Sequence, residues 1–135
     1  MTGRVAIVGA VALGGALWMG TLAAAHHSLA AEFDVTRMVT VTGTITEMRW
    51  TNPHSWLHVD VRNARGQIEK WEIEFSSPNS LYRRGWRRSD LPPKGSVTVT
   101  GYPSRDTSAK VLSASDVKLP DGRTLFAGMP TDGGR

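Results

Sequence analysis

The segment "SWLHVDVRNARGQIEKWEIEF" (residues 55–75) decides how this chain folds. Ser55, Leu57, Val59 and Val61 alternate with His54, Trp56, His58 and Asp60, the two-residue period of a strand with one buried face. After the turn "NARGQ", Glu69, Trp71, Ile73 and Phe75 alternate with Lys70, Glu72 and Glu74. Paired antiparallel strands keep like faces together, because a slip of one residue inverts every side chain. The register that satisfies this sets Leu57 opposite Ile73 and Val59 opposite Trp71. It also sets Asp60 opposite Lys70, His58 opposite Glu72 and Trp56 opposite Glu74. The outer face of the hairpin thus carries an ion pair and a histidine–carboxylate pair, and Trp71 is assigned to the core.

Upstream, "MVTVTGTITEMRW" (38–50) alternates Val39, Val41, Gly43 and Ile45 against four threonines, then loses phase before Met48 and Trp50. Gly43 marks a bend or bulge there. "TNPH" (51–54) is a turn. Downstream, "SSPNSLYRRG" (76–85) reads as a short helix with Ser77 as N-cap, Pro78 in the first turn and Gly85 just past the end. "SVTVTGY" (96–102) and "AKVLSASDVKL" (109–119) are further strands, and "LPDGRTLF" closes as a turn with a short strand. Three strands in meander, a helix, then two strands is the order of the OB-fold. The expected class is therefore all-β with one short helix, an OB-fold-like five-stranded Greek-key barrel. The alternative is a β-meander with a packed helix.

The barrel does not begin at residue 1. Residues 1–25 read as a signal peptide: Arg4 as a positive n-region, an apolar run, then "AAA" (23–25) as the cleavage site. There is no twin arginine. The apolar stretch approaches a membrane-spanning length, so a retained N-terminal membrane anchor is the competing reading. Cleavage leaves an N-terminal segment 26–37, a barrel domain 38–128 and a disordered tail 129–135, in a periplasmic or secreted protein. The chain has no cysteine, which excludes disulfides, thiolate metal sites and thiol catalysis. Without Arg4, the 16 Lys/Arg fall to fifteen against 12 Asp/Glu, too small an excess for a nucleic-acid partner.

Several motifs identify a resemblance. They are "HHS" at the mature start, "EFD", "GTITEMRWTNPHSWLHVDV", "WEIEFSSPNSLYRRGW", "VTVTGYPSRD" and "LPDGRTLFAG". Together the chain resembles a family of small exported bacterial proteins classed only as a domain of unknown function. The resemblance implies export and a compact β domain, and supplies no activity.

The chemistry lies in four histidines, His26, His27, His54 and His58. Cleavage after Ala25 would make His26 residue one, so that its α-amine and imidazole Nδ1 chelate one metal ion. His27 adds an imidazole and, for Cu(II), a deprotonatable amide. Nitrogen donors in a tetragonal plane favour Cu(II), with Ni(II) or Zn(II) behind it; Met38, Met48 and Met129 are unclustered, which disfavours a Cu(I) thioether site. Four residues along a strand span about 13 Å, so at most one of His54 and His58 joins the N-terminal pair. His54, at the mouth of the turn, lies nearer a reachable loop, whereas His58 has Glu72 as a carboxylate to fix its tautomer. The expected function is a periplasmic metal-binding protein that holds a metal ion, Cu(II) first, through an N-terminal histidine chelate. The alternative is a metal-free module for a glycan, lipid or protein partner, through Trp50 and Trp56 or through the arginines. A copper oxidoreductase is the third reading. Arg83, Arg84, Arg87 and Arg88 around Trp86 fit an anionic membrane surface or an acidic periplasmic protein. Hydrolase motifs are missing: there is no G-x-S-x-G, and His54 and His58 share a strand without the glutamate of a zinc-protease helix.

The whole chelate depends on one bond. Intact mass of the exported protein is expected to begin at His26; a species retaining any of Ala23–Ala25 would remove the α-amine chelate.

Overall fold

The computed structural model describes residues 29–129. The expected signal peptide, the His26/His27 pair and residues 130–135 of the tail lie outside the described residues. The elements are α1 (Leu29–Glu32), β1 (Val39–Arg49), β2 (Ser55–Arg62), β3 (Ile68–Phe75), α2 (Pro78–Arg83), β4 (Ser96–Pro103), β5 (Val111–Lys118) and β6 (Thr124–Phe126), with a 3-10 turn at Arg88–Asp90. The sheet runs β3-β2-β1-β4-β5-β6, and a parallel β3–β5 pairing closes the first five strands into a barrel. This is the OB order, mostly β, with two short α-helices rather than one.

The hairpin has the register its alternation dictates. Leu57 faces Ile73, Val59 faces Trp71, Asp60 faces Lys70, His58 faces Glu72 and Trp56 faces Glu74. β1 is long because it serves two neighbours, β4 along Val39–Thr44 and β2 along Thr44–Arg49. The phase loss has a location: the register against β2 shifts between Ile45 and Glu47, leaving Thr46 as the extra residue. Gly43 is therefore not the bulge. A Cβ there would sit 2.6 Å from the Asp60 carbonyl oxygen, so glycine is what lets β2 approach. Gly101 does the same at the β4–β5 irregularity, where a Cβ would meet the Ser113 carbonyl at 2.1 Å.

α2 starts and stops as its sequence dictates. Ser77 Oγ accepts from the Ser80 N–H, Pro78 opens the helix, and Gly85 takes φ +96°. The Trp86 and Gly85 N–H groups donate to the Leu81 and Tyr82 carbonyls, satisfying the last turn as a Schellman motif. That turn delivers Trp86 into the core. Its ring is wholly buried edge-on to Phe75, centroids 5.5 Å apart, and its Nε1–H donates to the Phe126 carbonyl at 2.9 Å. Trp71, expected in the core, is only partly buried at its margin. Burying an indole while satisfying its N–H explains the exchange. The remaining interior is Ile45, Leu57, Val59, Ile73, Leu81, Val97, Val99, Leu112 and Val117.

One packing feature precedes the barrel. Phe33 is buried and bridges Ser104, while the Asp34 N–H donates to the Pro103 carbonyl. Arg105 holds α1 twice, through its backbone N–H to the Glu32 carbonyl at 2.9 Å and through Nε to the Ala30 carbonyl at 2.7 Å. Residues 29–34 are thus fastened along the end of β4.

Trp86→Ala is expected to cost about 3–5 kcal/mol of unfolding free energy, read from urea denaturation, because it opens a cavity under α2 and orphans the Phe126 carbonyl. A loss under about 1 kcal/mol would mean the ring does not pack the barrel end.

Candidate functional site

The turn 51–54 is closed by Thr51 Oγ1, which donates to the His54 carbonyl at 2.8 Å. It places His54 at the head of β2, on the same face as Trp56 and diagonal to Glu74. His54 Nδ1 is in direct contact with Glu74 Oε1. The Glu74 side chain is only 4% exposed, against 35% for His54. Burial is the larger cause pushing the Glu74 carboxyl up to about 7, and the charge of Glu32 pushes the same way. Burial also lowers the His54 imidazole from its ordinary value, while Glu32 pulls it back up. Each group is thus biased toward its neutral form.

Glu32 belongs to the fastened segment of α1, so that segment lies close enough to act on both members of the pair. Glu32 is itself engaged with other groups. The three residues come from three parts of the chain: α1, the head of β2 and the closing stretch of β3. Sequence reading missed Glu74 and Glu32. Glu74 had a signal, since the Trp56–Glu74 register makes His54 its diagonal neighbour. Glu32 had none, because Arg105 holds α1 through single hydrogen bonds with no periodic trace.

His58 sits differently. Its Nδ1 is 3.9 Å from Glu72 Oε1, beyond hydrogen-bond range, and its Nε2 is buried without a bonding partner among the described residues. It lines an open groove of about 400 Å³ on the outer face with Glu47, Asp60, Trp71, Glu72 and Lys110. His54 is not in that groove, and the structure keeps the two histidines in separate surroundings. Among the described residues no three His, Asp or Glu side chains are grouped to hold a metal ion. A chelate of three such side chains at His54 would need residues outside 29–129.

The aromatic and basic residues also sort. Trp50 is half-buried against the core, and Tyr82 stacks on it at 5.6 Å with 3° between the planes. Trp56 is half-buried on the face of His54 and His58. One face of Trp50 is thus occupied by a ring from α2. Trp86 is buried, so the arginines do not surround an exposed indole. Arg84 turns inward, donating to Ser76 Oγ at 3.2 Å and to the Gly128 carbonyl. Arg83, Arg87 and Arg88 stay exposed.

These features define an OB-type barrel in which a half-buried histidine meets a buried carboxylate, beside a docked N-terminal segment. By sequence, the chain belongs to a family of unknown function (DUF6152), whose model matches residues 16–113. No curated protein matches it. Among the described residues, no helix is long and apolar enough to cross a membrane.

The pair makes a signed prediction about pH. Glu74 keeps its proton to about pH 7 when folded and only to its ordinary 4.5 when unfolded. Its contribution to stability is full below 4.5 and is lost as pH rises through about 7. His54 runs the other way: its contribution is present above its ordinary 6.5 and is lost as pH falls through its lowered folded value. Melting temperatures followed across this range by circular dichroism are expected to rise with pH in Glu74→Gln and fall with pH in His54→Gln. Parallel slopes in the two variants would contradict the pairing.

Proposed function

We propose that this is an exported, periplasmic metal-binding protein that takes up Cu(II) through an N-terminal histidine chelate completed by His54. The observation that carries this reading is the His54–Glu74 contact beside the fastened α1 segment. With Nδ1 committed to Glu74, the other ring nitrogen of His54 is the one left for a metal. A buried carboxylate behind a ligating histidine fixes its orientation and raises its basicity. Burial favours neutral imidazole, the form that binds metal.

Glu32, in the anchored α1 segment that follows the histidine pair in the sequence, acts on both His54 and Glu74, so that segment runs beside the pair. The donors would be the α-amine and Nδ1 of His26, a nitrogen of His27, and His54. Such a set suits Cu(II) ahead of Ni(II) or Zn(II). The α-amine, ordinarily near pKa about 7.7–8.0, must lose its proton, so affinity rises with pH. The role is binding and handling of the ion rather than catalysis.

A second reading has its own observation, the groove that contains Trp71 and the unbonded His58 Nε2. There a metal-free module would hold a glycan or other polar ligand against the indole, at Trp71 rather than at Trp50 or Trp56.

Copper titration of the mature protein separates the two. Adding one N-terminal alanine, or substituting His54→Ala, is expected to weaken Cu(II) binding by more than about tenfold, and Glu74→Gln by about 10–100-fold. Equal affinity in the mature and alanine-extended proteins would overturn the chelate and leave the groove as the site.

A further inference from the structure

The chain neutralises many of its cations locally. Arg37, Arg49, Lys70, Lys110 and Arg123 each have a carboxylate within 4 Å. Arg83, Arg87 and Arg88 have none among the described residues, although they fall within six positions of each other. The nearest acid in the sequence, Asp90, is taken: its carboxylate accepts from the Arg87 backbone N–H at 2.7 Å and from Arg123. The local arrangement therefore keeps three guanidiniums together without a counter-ion.

Two of them are held in place. Arg87 Nη1 donates to the Trp86 carbonyl at 2.7 Å and the Tyr82 carbonyl at 3.3 Å. Arg88 lies 5.6 Å from the centre of the Trp50 ring, on which Tyr82 stacks. The C-terminal dipole of α2 favours Arg83, the basic residue of its last turn, and helix-end capping accounts for Arg87 in part; neither accounts for Arg88. Fixing a guanidinium on an aromatic ring before a partner arrives lowers the entropy lost when it binds. The charge is felt locally, since Arg83 and burial together lower the Arg84 guanidinium from its ordinary value.

We infer that Arg83 at the end of α2, with Arg87 and Arg88 just beyond it and Arg88 set over the Trp50–Tyr82 stack, form a docking surface for an acidic segment of a partner protein. Guanidinium forks match carboxylates in pairs, and exposed clusters of one sign raise encounter rates with the opposite sign. A lipid surface fits less well. The indole that would enter a headgroup layer, Trp86, is wholly buried and bonded to Phe126, and Trp50 is covered by its stack. The surface also has a neighbour. Trp50 and His54 flank the same turn, closed by Thr51 onto the His54 carbonyl, so a partner seated on the arginines would stand next to that histidine. The docking surface itself does not depend on a metal being bound.

The test uses the full exported protein and a fluorescent ten-residue poly-glutamate peptide, with binding read by anisotropy and by the Trp indole N–H signals in NMR. Arg83→Gln/Arg88→Gln leaves the Arg87 carbonyl bonds intact, and Arg62→Gln/Arg65→Gln removes equal charge from the far hairpin turn. Binding of the peptide by the unaltered protein is expected, weakened by added salt, with the Trp50 indole signal moving and that of Trp71 still. The first variant is expected to lose about tenfold in affinity and the second less than about twofold. No binding, or equal loss in both variants, would overturn the docking surface. Binding to vesicles containing 30% phosphatidylglycerol (about one anionic lipid in three) but not to the peptide would overturn it in favour of a membrane.

Discussion

The parallel pairing of β3 with β5 is the contact on which the rest of the molecule depends. Only three register pairs make it, Glu72 with Val111, Ile73 with Leu112 and Glu74 with Ser113. The middle pair is wholly interior and joins the two halves of the core. The last pair takes Glu74, which the strand period assigns to the polar face, and leaves it almost without solvent. A carboxylate so placed must find a partner or hold its proton. It does something of both, through His54. The contact with His54 is thus made on the strand that closes the barrel.

The same seam explains what could be read from the sequence. Register within the β2–β3 hairpin was fully legible, because adjacent strands of period two allow one alignment when one face is apolar. The helix between the third and fourth strands was legible from Ser77, Pro78 and Gly85, each of which acts locally. Barrel topology followed from element order. The burial of Glu74 was not legible, since it is imposed by a strand some forty residues away in the chain. The burial of Trp86 was not legible either, for a related reason. Its arginine neighbours mark a solvated segment, yet the left-handed turn at Gly85 points the indole back under α2. The docking of Phe33 and Arg105 rests on isolated contacts between distant residues, and no periodic pattern records those.

Seen together, the two ends of the Trp50–His54 turn carry different kinds of chemistry. At one end a nitrogen base is oriented by a buried acid; at the other, cations are fixed on stacked rings. Both depend on side chains from α2 or β3 meeting the turn, so the turn is positioned by the core rather than by its own residues. The outer groove at His58 and Trp71 lies further along β2 and shares no residue with either end.

Barrel closure also bears on how the chain behaves in a crowded compartment. A sheet invites edge-to-edge association where backbone donors and acceptors are left unpaired along a strand. At the two ends of the strand order the free margins are short: the outer side of β6, only three residues long, and the opening half of β3, which carries Glu69 and Lys70. A template for amyloid-like growth needs a longer, flatter and less charged edge than either. A cysteine-free domain has no covalent clamp against misassociation, and here the circular hydrogen-bond network supplies the protection instead.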